Sequence, residues 1–264
     1  MIKLVFRYVR RRICNLRWVI QAIVESLFTE PKKTETPNVN ASFLVLIPHA
    51  DDEWIGCSQI ISKMKSVTLV DMDMEGGDEQ EIHNLRKKEL RLISDKYNRA
   101  LYTLRKEKHD EFLRIIKESS PSYVLLPFFY DWHPEHIKVM DMLEQVLKKD
   151  CIDTNILMYQ VSVPIGYKWI NCVMPMSRHD LKRKWDTFRE IYVTQQHIPY
   201  FRFKMQERIN GRLTQSYASE VFSKMSRNEW LAAKPKIITK ALKEKEQILR
   251  KLNNIRGIRN FVNN

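Results

Sequence analysis

The sequence is poor in the residues that define several protein classes. Its four cysteines, at positions 14, 57, 151 and 172, form no C-x-x-C pair. This spacing excludes a disulfide scaffold and a cysteine-rich zinc module, and it favours a reducing compartment. With six glycines and ten prolines in 264 residues, the chain is neither collagen-like nor proline-rich. Neither G-x-G-x-x-G nor G-x-x-x-x-G-K-[ST] occurs, so a nucleotide-binding function has no direct support.

The sequence also lacks an apolar run long enough to cross a bilayer. The most apolar stretch near its start, residues 18–24, contains Gln21 and lies between Arg17 and Glu25. It falls well short of the ~20 residues that a spanning helix needs. The basic stretch extends to Arg17 and no small-residue cleavage site follows Phe28, which argues against a signal peptide. We therefore expect a cytoplasmic protein.

The net charge of +13 is concentrated in two terminal arms. Residues 1–33 carry eight basic and two acidic residues, residues 234–264 carry nine and two, and the middle is neutral. We predict a basic amphipathic N-terminal helix with the start of a linker (1–33), a globular domain (34–233) and a basic helical tail (234–264). Such arms suit an anionic surface, here the inner face of a membrane, on which the protein would lie peripherally. The alternative is that the arms pack on the domain or join subunits; nothing specifies an oligomeric state.

Short apolar runs alternate with helical patterns through the middle of the chain. The strand-like runs are residues 43–47, 66–72, 123–126 and 156–163, and the helical patterns are residues 54–64, 79–97, 105–118 and 134–149. This alternation predicts an α/β fold, a Rossmann-like, mainly parallel sheet with helices on both faces. In such sheets the chemistry gathers at the carboxyl ends of the strands.

Two polar clusters stand at such strand ends. Residues 48–53 (PHADDE) directly follow the first strand, and residues 131–136 (DWHPEH) follow the third. A hydrolytic metal site needs two or three histidine or carboxylate ligands and a carboxylate beside them that takes a proton from water. His49 and Asp52 lie three residues apart in a strand-to-helix turn and would reach one point, with Asp51 between them as a candidate base.

The second cluster offers His133 and His136, three residues apart where a helix begins. One would bind metal while the other faces the substrate, and the residues alone do not rank them. Each cluster by itself is more often a capped or solvated helix N-terminus, where acids complement the dipole, than a metal site. Their occurrence after two strands of one sheet favours a metal site.

These two segments resemble the hallmarks of the N-acetylglucosaminyl deacetylase family, also called PIG-L or LmbE-like. That family has His-Pro-Asp-Asp-Glu after its first strand and a later His-x-x-His. Weaker similarities follow at Arg86 and Glu89 (Arg-x-x-Glu), at residues 192–195 (Tyr-x-Ser-Gln in the family) and at residues 219–222 (Ala-Glu-x-Phe). The resemblance spans about residues 42–226, so the globular domain at 34–233 would be the deacetylase domain.

The resemblance implies a zinc-dependent amidohydrolase that removes the N-acetyl group from a GlcNAc-type amino sugar. His49, Asp52 and His136 would bind Zn²⁺, or another divalent metal. Asp51 would be the general base, and His133 would hold the oxyanion or protonate the leaving amine. The candidates for substrate binding are Arg86, Asp131 and Gln195.

Members of the family act on free, nucleotide-linked, lipid-linked and antibiotic-attached amino sugars. The basic arms favour a lipid-linked, glycan-linked or otherwise anionic substrate.

The sequence departs from the family pattern at three positions without deleting a ligand. Ala50 replaces the usual proline, and Ser58 and Gln59 replace small glycines. The alternative function is a non-enzymatic membrane- or nucleic-acid-associated protein with a decayed deacetylase fold. The intact ligands disfavour decay. Nucleic acid is not an expected partner, because the C-terminal arm has only Phe261 after Trp230 for stacking on bases.

Overall fold

The computed structural model of the protein describes residues 2–74, 80–104, 109–150 and 152–263. Within these residues one sheet contains the strands β1 (Ser42–Ile47), β2 (Ser66–Asp71), β3 (Ala100–Thr103), β4 (Tyr123–Pro127), β5 (Asn155–Tyr159), β6 (Cys172–Met176) and β7 (Ala218–Ser226). Their spatial order is β3-β2-β1-β4-β5-β7-β6. Only β7 runs against its neighbours, β5 and β6, so the sheet is mainly parallel as predicted.

Helices flank this sheet and form both ends of the chain. They are α1 (Ile2–Phe28), α2 (Asp52–Lys63), α3 (Gln80–Tyr97), α4 (His109–Ser119), α5 (Pro134–Lys149), α6 (Arg178–Ile191), α7 (Tyr200–Asn210), α8 (Arg227–Lys243), α9 (Lys245–Lys251) and α10 (Ile255–Asn263). The predicted helix starts at residue 79 and at residues 105–108 lie outside the described part of the chain.

The central strand β1 is buried on both of its faces. Leu44 and Leu46 belong to a core cluster shared with α4, α5 and α8, whereas Val45 and Ile47 belong to a second cluster shared with α2, α3 and α6. A parallel strand between two helical layers needs apolar side chains at every position. This explains the uninterrupted apolar run and confirms the prediction of helices on both faces.

The order of the strands creates a crevice beside β1. The chain adds β2 and β3 on one side of β1 and then returns to add β4 and β5 on the other side. Connections therefore leave the carboxyl ends of β1 and β4 in opposite directions, which opens a crevice where ligands bind in α/β sheets. The two polar clusters follow these two strands, so the topology brings them together.

Both ends of the chain pack on the domain. Trp18 and Ala22 on one face of α1 contact Met205 and Ile209 of α7 and Ile255 of α10. Within the described residues, no helix is both long and apolar enough to span a membrane. The division of the chain at residues 33 and 233 stays a prediction.

Candidate metal centre and active site

The turn between β1 and α2 is built around Asp51. Its backbone has φ 129° and ψ −29°, a region that residues with side chains rarely adopt. Such a conformation costs ~1–3 kcal/mol and persists only where the surroundings enforce it. Here the amides of Trp54 and Ile55 donate to the Asp51 carbonyl oxygen at 3.0 and 2.9 Å. The Asp51 amide donates to Glu53 Oε2 at 3.0 Å.

Glu53 stabilises this turn through hydrogen bonds to its carboxylate. It is fully buried, accepts the Asp51 amide and also accepts a hydrogen bond from the Tyr192 hydroxyl. Burial raises the pKa of Glu53 to about 7. The sequence patterns gave Glu53 no role of its own. The similarity of residues 192–195 to a family segment was the one signal that tied Tyr192 to the site.

The second cluster is placed by the start of α5. Pro134 occupies the first turn, where its missing N–H costs nothing, and His133 is the N-cap residue. His133 Nδ1 lies 2.7 Å from Glu135 Oε2, so this carboxylate orients the imidazole ring. His133 is partly exposed, whereas His136 is buried.

Atoms from the two clusters converge on one point. His49 Nδ1 lies 3.2 Å from His136 Nε2 and 3.2 Å from Asp52 Oδ2. His136 Nε2 lies 3.0 Å from the same Asp52 oxygen. His133 joins a looser group with the two other histidines, in which the ligand atoms lie within 4.8 Å of one another. The structure thus brings the three predicted ligands together and sets His133 beside them.

Asp131 lies behind this point. Its Oδ1 is 3.2 Å from His136 Nδ1, and its Oδ2 accepts the Ser162 amide at 3.0 Å. Burial acts to lower the pKa of His136, but Asp131 and Asp52 hold it well above its ordinary value. Burial likewise acts to raise the pKa of Asp52, but His136 and His49 hold it well below its ordinary range. The sequence named Asp131 as a substrate-binding candidate; its contacts are those of a residue that orients His136.

The donor set fits a divalent metal such as zinc. Two imidazole nitrogens and one carboxylate oxygen form a common catalytic zinc set, and donors bound at ~2.0–2.1 Å in a tetrahedron lie about 3.3 Å apart. The observed separations of 3.0–3.2 Å are close to that value. The partner of His136 Nδ1 is a carboxylate, the usual orienting group for a metal-bound histidine.

A cavity of about 530 Å³ opens over these residues, and Asp51 and His133 line it. Arg86 and Gln195 form part of the same wall. The side-chain amide of Gln195 satisfies its hydrogen bonds when its oxygen faces Arg86. In this orientation the oxygen accepts from Arg86 Nε and Nη2 at 3.1 and 3.0 Å. The structure therefore brings two of the three substrate-binding candidates into one pair that faces the cavity.

Hydrogen bonds between Glu89 and Thr194 hold Arg86 and Gln195 in place beside the cavity. Glu89, one turn along α3 from Arg86, accepts from the Thr194 amide at 2.8 Å and from its hydroxyl at 2.6 Å. The weak family similarities at residues 86–89 and 192–195 are thus two halves of one contact.

The third similarity, at residues 219–222, anchors α2. Glu220 accepts from the Ser58 hydroxyl at 2.6 Å and from the Gln59 backbone amide at 2.9 Å. Lys184, fully buried, donates to Glu220 at 2.7 Å and also to Glu207. The substituted residues Ser58 and Gln59 therefore bind a carboxylate beneath α2 and do not line the cavity.

Comparison with known proteins places the fold. No family model matches the sequence, and no curated protein matches it. Among solved structures, N,N'-diacetylchitobiose deacetylase from Pyrococcus horikoshii is 18% identical, with 72% of this chain and 85% of that chain covered and a TM-score of 0.57. A conserved protein from Thermus thermophilus is 17% identical, covering 69% and 93%, with a TM-score of 0.55.

A triple mutant of a deacetylase of teicoplanin biosynthesis is 14% identical, covering 70% and 98%, with a TM-score of 0.50. The chain thus has the fold seen in these deacetylases, as its sequence motifs predicted.

Proposed function

We propose that the protein is a zinc-dependent hydrolase that removes the N-acetyl group from an amino sugar. The observation that carries this proposal is the convergence of His49 Nδ1, Asp52 Oδ2 and His136 Nε2 within 3.0–3.2 Å, with Asp51 beside them in the wall of an open cavity. Two of the structures that share this fold carry deacetylase in their names, and one of them is named for a diacetylated amino sugar.

The residues divide the work of amide hydrolysis. A zinc ion held by His49, Asp52 and His136 would polarise the amide carbonyl and acidify a water molecule. Asp51 takes a proton from the attacking water as general base. His133, held by Glu135, faces the cavity from the opposite cluster and donates to the oxyanion or to the leaving amine nitrogen.

The cavity suits a sugar. A volume of about 530 Å³ lies within the ~300–1,000 Å³ range of ligand pockets. The Arg86–Gln195 pair presents hydrogen-bonding groups to the cavity that the catalytic residues line, and we assign it to the sugar hydroxyls.

The test is metal analysis combined with acetate release. Purified protein should contain one divalent ion per chain and should release acetate from at least one member of a panel of N-acetylated amino sugars. Chelation should abolish the release, and added zinc should restore it. A protein that binds metal at this site but hydrolyses no N-acetylated sugar would favour the non-enzymatic alternative.

We further propose that α1 holds the enzyme on an anionic membrane surface. The face of α1 opposite Trp18 carries five large apolar residues at helical spacing, each 53–77% exposed: Ile13, Leu16, Ile20, Ile23 and Leu27. The same helix carries six basic residues and one acid, Glu25, which lies on the buried side. An apolar stripe on a helix of net positive charge matches an anionic lipid interface, whereas like charges oppose a second copy of the helix.

The C-terminal arm packs much of its apolar surface against the protein. Its helix α10 turns Ile255, Ile258 and Val262 into the protein. Arg259 is buried and donates to the Tyr167 hydroxyl and Asn210, and Lys234 is paired with two carboxylates of α5.

Vesicle sedimentation tests the membrane proposal. The protein should bind anionic vesicles, less so as salt rises, and Ile20→Glu with Leu27→Glu should abolish the binding without changing hydrolysis of a soluble substrate. Val39→Glu, at an exposed apolar residue outside α1, should leave binding intact. The proposal fails if the wild type does not bind anionic vesicles at low salt. It also fails if analytical ultracentrifugation shows that the protein dimerises through the exposed apolar face of α1.

A further inference from the structure

Arg202 is a buried cation in the wall of the catalytic cavity, and the proposed reaction gives it no task. It is 7% exposed and lines the cavity together with Asp51 and His133. Among the described residues its guanidinium makes one hydrogen bond, from Nη2 to the Ser162 carbonyl oxygen at 3.1 Å, and its Nε has no partner. A guanidinium has five N–H donors, so most of its capacity faces no acceptor of the protein.

The charge of Arg202 is only weakly balanced. Asp131 is the carboxylate that interacts electrostatically with Arg202, and the same carboxylate also contacts His136. Burial lowers the pKa of Arg202 to about 10, which still leaves the side chain charged at neutral pH. A buried cation without a matched anion is costly, and a bound anion would recover that cost.

The backbone beside Arg202 favours the same kind of ligand. Arg202 lies in the first turn of α7, whose N-cap residue is Pro199 and which has no side-chain cap. The N-terminus of an 11-residue helix carries partial positive charge, which favours a negatively charged ligand such as phosphate.

Arg202 also stands between two cavities. A second cavity, of about 400 Å³, shares His197, Ile198, Pro199 and Arg202 with the catalytic cavity. Trp18 of α1 also lines this second cavity, and its ring centroid lies 5.9 Å from the Arg202 guanidinium carbon. A ligand whose sugar lies in the first cavity would pass Arg202 before it continues along α1.

From these four features we infer that Arg202 binds a phosphoryl group attached to the amino sugar, so that the substrate is a sugar phosphate or phosphate-linked sugar conjugate. This inference rests on the proposed deacetylase function. A guanidinium recognises phosphate through two parallel hydrogen bonds, which a lysine at the same place could not form. Arg202 is thus a specificity residue: it holds the non-reacting end of the substrate while the acetamido group meets Asp51.

Matched substrates test this role. Acetate release is measured for N-acetylglucosamine, N-acetylglucosamine 1-phosphate, its nucleoside diphosphate conjugate and a polyprenyl diphosphate conjugate in detergent. The wild type should prefer the 1-phosphate to the neutral sugar by at least about tenfold in kcat/KM, the range expected for hydrogen bonds to a charged group. The two larger conjugates distinguish a nucleotide carrier from a lipid carrier, because only one of them should improve on the 1-phosphate.

Variants then assign the preference to Arg202. Arg202→Met should lower kcat/KM for the 1-phosphate about 10- to 100-fold, mainly through KM, and change the neutral sugar less than about threefold. For the 1-phosphate, the kcat/KM of Arg202→Lys should lie between those of the wild type and Arg202→Met. Arg208→Met, at an exposed arginine on the same helix that stacks on Tyr217, should match the wild type.

Two outcomes overturn the inference while leaving the proposed function intact. One is a wild type that hydrolyses the neutral sugar and the 1-phosphate equally well. The other is an Arg202→Met protein that slows on both substrates alike, which is the mark of a structural residue. If Arg202→Met does not fold, inhibition of the wild type still decides: glucosamine 1-phosphate must inhibit more strongly than glucosamine. Failure to hydrolyse any substrate would instead refute the deacetylase function.

Discussion

Replacing Asp51 by asparagine separates the base from the metal ligands. Asparagine is nearly isosteric with aspartate and, like aspartate, tolerates a positive φ better than most residues with side chains, so it suits the backbone at φ 129°. The hydrogen bonds that hold the turn use the Asp51 backbone amide and carbonyl, which the substitution leaves in place. We therefore expect the variant to fold with a change in unfolding free energy of about 1 kcal/mol or less, and to keep its metal.

The Asp51→Asn substitution should slow the chemical step. An amide cannot accept the proton that the attacking water releases, and a positioned acid or base contributes ~10²–10⁴-fold to the rate. The expected fall in kcat is of that size, about 3–5 kcal/mol of transition-state stabilisation, with KM little changed.

The assay is acetate release at saturating metal, with kcat and KM determined separately and the metal content of each sample measured. Asp186→Asn is the matched control, because this half-buried carboxylate on α6 pairs with Lys182 and Arg189 and does not line the cavity. A metal-loaded Asp51→Asn enzyme with a near-normal kcat would remove Asp51 from the mechanism.

Three further predictions follow from named contacts. His136→Ala should lose zinc, whereas His133→Ala should retain zinc and slow the chemical step; zinc loss from the second variant would show that the two roles are exchanged. Lys184→Met leaves two buried carboxylates without their cation and should cost ~3–5 kcal/mol of unfolding free energy in urea. Burial raises the pKa of Glu207 from 4.5 to about 7, so the folded protein binds more protons than the unfolded chain between these values. Glu207 therefore lowers stability as pH rises from about 4.5 to 7, by up to about 3 kcal/mol, and Glu207→Gln should remove that part of the slope; equal slopes in both proteins would contradict the assignment.

Local sequence was enough to predict the elements that carry the site. The apolar runs of β1, β2, β4 and β5 are buried on both faces, so their hydrophobicity alone marks them. Strands β3, β6 and β7 were not predicted. The first is a four-residue edge strand with exposed side chains, and β6 contains Pro175. In β7, Glu220 is buried because Ser58 and Lys184 bind it, and no local pattern reveals such distant partners.

The ranking of the histidines needed the tertiary structure. Sequence spacing places His133 and His136 on one face at the start of α5, but it does not say which nitrogen meets His49. The position of α5 across the crevice puts His136 Nε2 at 3.2 Å from His49 Nδ1 and leaves His133 beside Glu135, and our proposal of His136 as the ligand rests on this geometry. The family resemblance had suggested the same assignment without a physical reason for it.

The terminal arms show the limit of composition most clearly. The sequence determined their helical character, their positive charge and the apolar spacing of α1. Whether an apolar helix face is buried depends on a complementary surface elsewhere in the chain, and composition carries no information about that surface. In the structure, such a complementary surface covers Trp18 and Ala22 of α1 and most of α10. The apolar stripe from Ile13 to Leu27 remains exposed. Of two arms with similar charge, the N-terminal one therefore keeps an exposed stripe of five large apolar residues, and the membrane proposal rests on this stripe.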